Sequence, residues 1–271
     1  MIRDLAGKRV LVTGASSGIG KAMALEAARR GATLLLMARR RDRLESVAAA
    51  ARALGTSAVS VAAIDLLADG ALDLVEAAAG GLDKIDVLVN NAGSGQNGSF
   101  AAAPEERLLR VFDLDFRIAV LLARRAALAF RRRGEGAILN VASMAALVPT
   151  PYHAVYSAAK AALLSFSEAL DIEERPHGTV VSALCPGVTE TEFFTASDYV
   201  MTSKVYRLPR QSAAAVATAG LDGLLSGRRM IIAGAKNRLF SIPTRLLPMN
   251  LVARLAGKVM RPDVPGDGER S

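Results

Sequence analysis

The sequence predicts an α/β fold in which helices cover both faces of a doubly wound parallel sheet. Short apolar segments alternate with amphipathic segments of helical length along most of the chain, which is the pattern of repeated βαβ units. A glycine-rich segment at residues 14–20 joins the first predicted strand to the first helix. Tyr156 and Lys160, four residues apart on a later predicted helix, would share one helix face. The alternation thus predicts the fold class, and the two local motifs indicate where its chemistry lies.

Seven apolar segments have the length and composition of buried strands. They occupy residues 9–13, 33–38, 57–63, 87–89, 137–141, 179–184 and 230–233. Helical patterns run from the glycine segment to about residue 30, over about 42–54, 66–79, 104–133 and 212–225, and from the Tyr156 region to about 175. Because helices alternate with strands in this order, the strands should pair in parallel.

The composition bounds the number of domains and the kinds of site. With 271 residues, 51% of them hydrophobic and 22% charged, the chain is long enough for one large domain with a full core. We assign residues 1–235 to this domain and residues 236–271 to a C-terminal extension. One cysteine, Cys185, and two histidines, His153 and His177, allow no disulfide framework and offer no cluster for a metal, so none is predicted.

The formal net charge of +8 suits anionic small molecules, membrane surfaces or nucleic acid without selecting among them. Aromatic residues make up only 4%, and no basic stripe is interleaved with them, so no nucleic-acid partner is predicted. The chain lacks an uninterrupted stretch of about 18 apolar residues, and residues 1–4 lead straight into the first predicted strand, so no signal peptide is expected. These features predict a cytoplasmic protein.

The glycine-rich segment has the chemistry of a phosphate site. Glycines permit a tight turn and a close approach of the backbone to a pyrophosphate, whose charge the helix N-terminus meets. The spacing is G-x-x-x-G-x-G, which differs from the G-x-G-x-x-G of the ordinary dinucleotide fingerprint. The predicted contacts come from Gly14, Ser16, Ser17, Gly18, Ile19 and Gly20.

The second predicted strand ends directly in arginines, Arg39 and Arg40. An acidic residue at this point would hold a ribose 2′-hydroxyl, whereas arginine pairs with a 2′-phosphate. These residues therefore predict NADP(H) as the cofactor, with Arg39 as the first choice for the contact. Alternatively, the arginines only begin the next helix on its solvent side.

Two further strand ends supply candidate groove residues. After the third strand, Asp65 could read an adenine amino group beside Leu66, or it could cap the helix that follows. After the fourth strand, Asn91, Ala92 and Gly93 can line a cofactor groove while the amide pins neighbouring backbone.

Tyr156 and Lys160 form a candidate proton donor. A free phenol has a pKa near ~10, and a nearby cation favours the phenolate. We therefore expect Lys160 to bring the pKa of Tyr156 down toward the range useful for acid–base work. Ser143, thirteen residues before the tyrosine, could donate to a substrate carbonyl and position it beside the phenol. Taken alone, tyrosine and lysine at this spacing also occur by chance on helix surfaces.

Five motifs in the expected order make the chain resemble the short-chain dehydrogenase/reductase (SDR) family. They are residues 13–20, 90–93, Ser143, 156–160 and 186–187, and the resemblance covers about residues 8–234. It implies a Rossmann-type sheet of seven strands in the order 3-2-1-4-5-6-7. It also implies that Tyr156 is the general acid/base, that Lys160 lowers its pKa and holds the nicotinamide ribose, and that Ser143 orients the carbonyl.

The resemblance implies further cofactor contacts and an assembly. The nicotinamide would rest near Pro186, Gly187 and Val188, and Thr191 would lie close to its carboxamide and phosphates. Family members commonly assemble through their long central helices. A homodimer or homotetramer that uses residues 113–132 is therefore expected.

One position departs from the family pattern. Asp115, on the long central helix, stands where the family usually has an asparagine that anchors a water in the proton relay to the lysine. An ionised aspartate can accept a hydrogen bond from that water but cannot donate one. It could also hold Lys160 in an ion pair and weaken the effect of the lysine on Tyr156. We expect proton resupply at this catalytic position to be retained but slower.

Four of the twelve aromatic residues lie between the Pro-Gly turn and the last predicted helix: Phe193, Phe194, Tyr199 and Tyr206. The resemblance makes this region, about residues 190–211, the variable substrate lid, and its apolar content predicts a hydrophobic ketone or alcohol of an acyl, steroid-like or polyketide-like kind. Ordinary packing of a lid helix explains the same residues. His153 is expected to border the substrate pocket as a packing or specificity residue, not as an acid or base.

The C-terminal extension is basic and amphipathic. Leu251, Leu255 and Val259 would lie on one helical face, with Arg254, Lys258 and Arg261 on another. Such a segment could make a peripheral contact with an anionic membrane, dock on a partner subunit or dock on its own domain. The residues that follow, 262–271, have the composition of a disordered tail.

These features predict an NADP(H)-dependent oxidoreductase that interconverts a carbonyl and a secondary alcohol. An alternative within the same chemistry is NADP-dependent oxidation of a small hydroxy acid. A different class of protein would be an NADPH-binding sensor, or a scaffold held on a membrane by the basic extension, with little turnover. The retained Ser143, Tyr156 and Lys160 argue against a sensor, because binding alone does not need them.

Overall fold

The computed structural model describes residues 2–56, 58–192 and 210–261, and of residues 242–246 only the backbone. Nine strands are present in this part of the chain. Their bounds are β1 Arg9–Thr13, β2 Thr33–Ala38, β3 Val59–Ala63, β4 Val87–Asn90, β5 Gly136–Val141, β6 Thr179–Cys185, β7 Thr189–Glu190, β8 Gln211–Ser212 and β9 Met230–Ile232. The predicted lid residues Phe193, Phe194, Tyr199 and Tyr206 and the tail after Arg261 lie outside the described residues.

Seven of the strands form one parallel sheet in the order β3-β2-β1-β4-β5-β6-β9. This confirms the predicted Rossmann-type order, because β9 is the seventh strand of the sheet along the chain. The short strands β7 and β8 pair separately with each other and were not predicted.

Helices cover both faces of the sheet. Their bounds are α1 Gly18–Arg29, α2 Arg41–Arg52, α3 Ala71–Ala79, α4 Glu105–Phe112, α5 Ile118–Arg133, α6 Ala154–Glu174, α7 Ala213–Leu225, α8 Ala235–Leu246 and α9 Met249–Met260. Because successive strand side chains point to opposite faces, Val10 and Val12 pack with α1, α2 and α7, whereas Leu11 between them packs with α3 and α5. The chain therefore buries two separate apolar layers.

The third helix begins later than its pattern predicts. We expected a helix over about residues 66–79, but α3 starts at Ala71. Gly70 adopts a left-handed conformation with φ of 69°, which breaks the helical run before it. Asp65 is therefore not the N-cap of α3; its carboxylate instead accepts a hydrogen bond from the Leu67 N–H at 3.1 Å in a tight turn.

The long central helix predicted over residues 104–133 is interrupted. A π-helical segment, Asp113–Arg117, separates α4 from α5. The wider turn admits one extra residue and rotates the following side chains relative to a continuous α-helix. Asp115 lies inside this segment and is buried, with 1% of its surface exposed.

The C-terminal extension docks on the domain, the third of the three predicted placements. Val252 of α9 is buried, and Gly257 passes so close to Pro151 that an added Cβ would lie 3.3 Å from the proline ring. Asn237 of α8 donates to Gln211 Oε1 and to the Ala233 carbonyl, both at 2.8 Å. Among the described residues, no helix combines the length and apolar character needed to cross a bilayer.

Candidate active site

A cavity of about 750 Å³ opens at the carboxyl ends of the central strands. This is the edge at which ligands bind in doubly wound sheets. Nearly all of the predicted cofactor residues line it: Gly14, Ser16, Ser17, Gly18, Ile19, Arg39, Arg40, Asp65, Leu66, Asn91, Ala92, Gly93, Tyr156, Lys160, Pro186, Gly187, Val188 and Thr191. Ser143 and His153 line it as well. Two predicted site residues, Gly20 and Asp115, lie behind the wall instead.

The glycine segment forms a tight turn whose shape fits a phosphate group. Gly14 and Gly18 have φ values of 65° and 54°, in the region that favours glycine. Gly20 faces the turn from α1, and a Cβ there would collide with the Gly14 carbonyl oxygen. Gly20 therefore packs against the side of the turn that faces away from the cavity, and it does not line the cavity.

We expect Gly20→Ala to displace this turn and to weaken the binding of NADPH and NADH together. Overpacking of this kind costs about 1–3 kcal/mol, so the dissociation constants should rise roughly 10–100-fold. Fluorescence titration of both dinucleotides measures the effect. Gly55→Ala is the control for backbone strain away from the cavity, since Gly55 has a φ of 89° and a Cβ there meets nothing within 4 Å; equal losses of cofactor binding in the two variants would contradict the prediction.

Hydrogen bonds between β1 and β4 hold the turn in place. The Thr13 hydroxyl accepts from the backbone N–H groups of Asn91 and Ala92, at 2.9 and 3.0 Å. The Asn91 amide donates to the carbonyl oxygens of Thr13 and Gly14, at 2.9 and 3.2 Å. The predicted role of this amide in pinning neighbouring backbone is thus present in the structure.

Arg40 lies across the glycine turn. Its guanidinium donates to the hydroxyls of Ser16 and Ser17, at 3.3 and 3.4 Å. Glu192, another lining residue, is 3.7 Å from Arg40 and forms a closer ion pair with Arg43. Arg39 also lines the cavity. Two guanidinium groups are therefore available beside the turn for an anionic group of a ligand.

The Lys160 ammonium lies near the Tyr156 ring and is bound by a backbone carbonyl and a carboxylate. Its ammonium lies 5.8 Å from the centre of the Tyr156 ring. It donates to the Val141 carbonyl at 2.8 Å and pairs with Asp115 Oδ1 at 2.8 Å. Asp115 Oδ2 accepts from the Ser94 N–H at 2.7 Å. The ion pair that the sequence suggested between Asp115 and Lys160 is therefore formed, with both groups buried.

The net effect on Tyr156 differs from the expectation. Burial raises the pKa of Tyr156 above its ordinary value, and this outweighs the opposing effects of Lys160 and of a hydrogen bond with Ser143. Asp115 raises the Tyr156 pKa further. For Lys160, burial alone would lower the pKa, but Asp115 and Tyr156 together raise it, so the lysine stays charged. Lys160 thus moderates the tyrosine pKa without bringing it below the usual range.

His153 is buried at the N-terminus of α6. Burial lowers its pKa to about 4, so the imidazole is neutral at neutral pH. The preceding Tyr152 has a φ of 64°, which is unusual for a residue with a side chain. His153 therefore offers the cavity an uncharged polar side chain, which fits a specificity role better than one as a cation.

Several lining residues were not predicted. They include Ser94, Arg110, Leu114, Met144, Val148, Thr150, Phe240, Ala256 and Met260. The last three come from α8 and α9, which the sequence analysis assigned to a separate extension. A second apolar stripe on α9, Val252, Ala256 and Met260 at a spacing of four, was the available signal.

Helix α6 is positioned by a chain of buried amide side chains. These hydrogen bonds were not predicted from the sequence. Asn90 donates to Asn140 Oδ1 at 2.9 Å, and Asn140 donates to the Ser167 hydroxyl at 2.8 Å. Asn90 also donates to the Ala119 carbonyl at 3.1 Å. The helix that carries Tyr156 and Lys160 is thereby tied to β4, β5 and α5.

Comparison with known proteins agrees with this fold. A family model described as short chain dehydrogenase matches residues 8–199. The 11-beta-hydroxysteroid dehydrogenase 1A of Arabidopsis thaliana is 42% identical over 193 residues, which span 70% of this chain and 54% of the relative. The chain thus spans about half the length of this curated relative.

Two solved structures resemble the chain over most of its length. A short-chain dehydrogenase from Sphingobium yanoikuyae in complex with NADPH superimposes with a TM-score of 0.79 at 30% identity, covering 96% of this chain and 99% of that one. A short-chain dehydrogenase/reductase from Burkholderia phymatum in complex with NAD gives a TM-score of 0.78 at 25% identity, covering 90% and 96%.

A parallel sheet with a glycine turn at the carboxyl edge of its first strand defines the class of nucleotide-binding α/β proteins. Within that class, the family match and the identity to its relatives are decisive. The chain belongs to the short-chain dehydrogenase family of oxidoreductases, whose members bind a nicotinamide cofactor.

Proposed function

We propose that this protein is an NADP(H)-dependent oxidoreductase that interconverts a carbonyl and a secondary alcohol. The observation that carries the proposal is the meeting of Ser143, Tyr156 and Lys160 on the wall of the cavity that also contains the glycine turn. The turn fits a dinucleotide because its backbone packs too closely for a Cβ at Gly14 or Gly20. The N-terminus of α1 therefore borders the cavity, where its N–H groups can meet a phosphate. The bound nicotinamide supplies a hydride for reduction, or accepts one in the reverse direction.

The residues of the chain then handle the oxygen atom and its proton. Ser143 donates a hydrogen bond to the substrate carbonyl oxygen and so orients it beside Tyr156. As the carbonyl carbon gains a hydride, the Tyr156 hydroxyl gives its proton to the oxygen, and an alcohol results. In oxidation the tyrosine takes that proton back. Lys160, held by Asp115 and the Val141 carbonyl, keeps a positive charge near the phenol throughout.

The raised pKa of Tyr156 keeps the phenol in the protonated form that reduction needs. A phenol with a pKa above its ordinary value is protonated at neutral pH and can act as an acid. Oxidation needs the phenolate, and its rate should increase as the pH rises. Near neutral pH the tyrosine is therefore ready to act as the acid of ketone reduction, and this is the net reaction where the NADPH pool is kept reduced.

The preference for NADP(H) rests on the arginines at the end of β2. Related structures hold NADPH in one case and NAD in another, so membership of the family does not decide between the two. Arg39 and Arg40 line the cavity, and the sequence has no acidic residue at this strand end to hold a ribose 2′-hydroxyl. Both guanidinium groups would pair with a 2′-phosphate.

Arg39→Asp and Arg40→Asp test this preference separately. A hydrogen bond to a charged group contributes about 1.5–3 kcal/mol, so each change should weaken NADPH binding at least roughly 10-fold and leave NADH binding near its original value. Arg41→Asp is the matched control, because Arg41 pairs with Glu45 on α2 at 3.7 Å and does not line the cavity. If the unaltered protein binds NADPH and NADH equally, the NADP(H) assignment is wrong; if it binds neither, the enzymatic proposal fails.

The proposed substrate is a hydrophobic ketone. Leu114, Met144, Val148, Phe240 and Met260 add apolar surface to the cavity wall. One relative is named as a hydroxysteroid dehydrogenase, which acts on a molecule of this character. A small hydroxy acid would leave much of this surface uncovered.

We also propose that the protein is a homodimer or homotetramer. Leu109 and Phe112 on α4 and Leu128 on α5 are exposed, although they are large and apolar. Their burial against a second copy would follow the use of the central helices that the family resemblance implies.

A further inference from the structure

Helix α9 has two apolar stripes, one that packs on the protein and one that stays largely open to solvent. Val252 is buried, and Ala256 and Met260, which follow at intervals of four, line the cavity. The second stripe is formed by Leu251, Leu255 and Val259, each more than a third exposed. A helix in water normally has polar residues on its outer face. An apolar stripe on the outer face, such as the second stripe of α9, is therefore unusual for a surface helix.

Helix α8 and the connection between the two helices add exposed apolar residues. Leu239 is 69% exposed and Phe240 is 72% exposed. Leu247, between α8 and α9, and Met249, the first residue of α9, are also exposed. We call these residues and the second stripe of α9 the C-terminal face.

The charges beside the C-terminal face all have one sign. Residues 235–261 contain six basic residues and no acidic one. Lys236 and Arg238 on α8 and Arg254 and Lys258 on α9 are exposed. Arg254 and Lys258 lie one turn apart and next to Leu251 and Leu255, so their ammonium and guanidinium groups flank the apolar stripe.

This combination selects among the possible occupants. Two copies of the chain meeting through this face would bring positive groups together, which opposes association. An anionic lipid surface offers complementary headgroups to the basic residues, while leucine and phenylalanine enter the boundary of the acyl chains. The long stems of lysine and arginine allow both contacts at once.

We propose that the C-terminal face docks on an anionic lipid bilayer. Phe240 belongs both to this face and to the cavity wall, and Ala256 and Met260 line the cavity from the neighbouring stripe of α9. The opening of the cavity therefore lies beside the docking surface. If the proposed hydrophobic substrate is correct, such a substrate dissolved in the bilayer would reach the cavity without crossing water; the docking itself does not depend on that function.

Sedimentation of the full chain with vesicles tests the proposal. We expect binding to vesicles of mixed phosphatidylcholine and phosphatidylglycerol, little binding to phosphatidylcholine alone, and a loss of binding at high salt. Arg254→Glu with Lys258→Glu should weaken partitioning at least about 10-fold, and Leu251→Ser with Leu255→Ser should do the same. The matched control combines Arg41→Glu with Leu74→Ser, an exposed arginine and an exposed leucine outside the C-terminal face.

The outcomes separate docking from folding and from catalysis. NADPH titration and circular dichroism of each variant show whether the domain is intact. If the variant with two serines unfolds, the variant with two glutamates still tests the proposal, because it keeps the apolar stripe. Equal sedimentation of the α9 variants and the control pair would overturn the proposal. The proposal would also be overturned if the wild-type chain did not bind anionic vesicles but formed a dimer that Leu255→Ser dissociates. The C-terminal face would then be covered by a second copy of the chain. Vesicle binding without any ketone reduction would support docking and count only against the proposed function.

Discussion

Replacing Tyr156 with phenylalanine will lower the rate of ketone reduction by about 10²–10⁴-fold, the usual contribution of a positioned general acid. The phenylalanine keeps the ring beside Lys160 and removes only the hydroxyl. Binding of NADPH should therefore remain within a few-fold of the original value. Single-turnover rates with saturating cofactor measure the chemical step, and fluorescence titration measures binding.

Tyr152→Phe is the control for this experiment. Tyr152 precedes α6 and does not line the main cavity, and phenylalanine can adopt the same backbone conformation. This variant should keep the wild-type rate. An unchanged reduction rate in Tyr156→Phe would remove Tyr156 from the mechanism, and the catalytic proposal with it.

Replacing Asp115 with alanine should destabilise the protein by about 3–5 kcal/mol, the cost of leaving one partner of a buried ion pair without the other. Lys160 would keep its hydrogen bond to the Val141 carbonyl but would lose the only carboxylate that contacts its ammonium among the described residues. The Ser94 N–H would lose its acceptor as well. Urea unfolding followed by circular dichroism measures the change.

Two variants make this result specific. Asp113→Ala, two residues away, breaks the exposed pair with Arg117 and should cost less than about 1 kcal/mol. The double change Asp115→Ala with Lys160→Met should cost less than Asp115→Ala alone, because no unpaired charge remains buried. A double variant no more stable than the single one would show that the ion pair is not the source of the loss.

The conservative change Asp115→Asn tests the effect of the carboxylate on the tyrosine. The Asp115 charge raises the pKa of Tyr156, so its removal should lower that pKa. Alcohol oxidation, which needs the phenolate, should then begin at a lower pH than in the wild type. The pH dependence of kcat for oxidation shows the shift, and a profile that stays in place or moves to higher pH would contradict it.

The strands and the cofactor side of the cavity were largely predictable from local pattern, whereas the strand order followed from the family resemblance. Apolar runs specify buried strands, and in a parallel sheet the residues just after each strand meet at one edge. Arg39, Asp65, Asn91 and Ser143 occupy such positions, and the structure brings them to one cavity. The start of α3 was harder to predict, since Leu66 and its neighbours have helical pattern until Gly70 ends it.

The sequence by itself determined the fold, the positions of Ser143, Tyr156 and Lys160 on that fold, and the family. The tertiary structure alone decided three further features. It interrupted the central helix at Asp113–Arg117 and brought Asp115 to Lys160, it folded α9 over the cavity, and it raised the pKa of Tyr156. Each depends on burial by segments distant along the chain, and local sequence pattern contains no measure of what will exclude water from a given side chain.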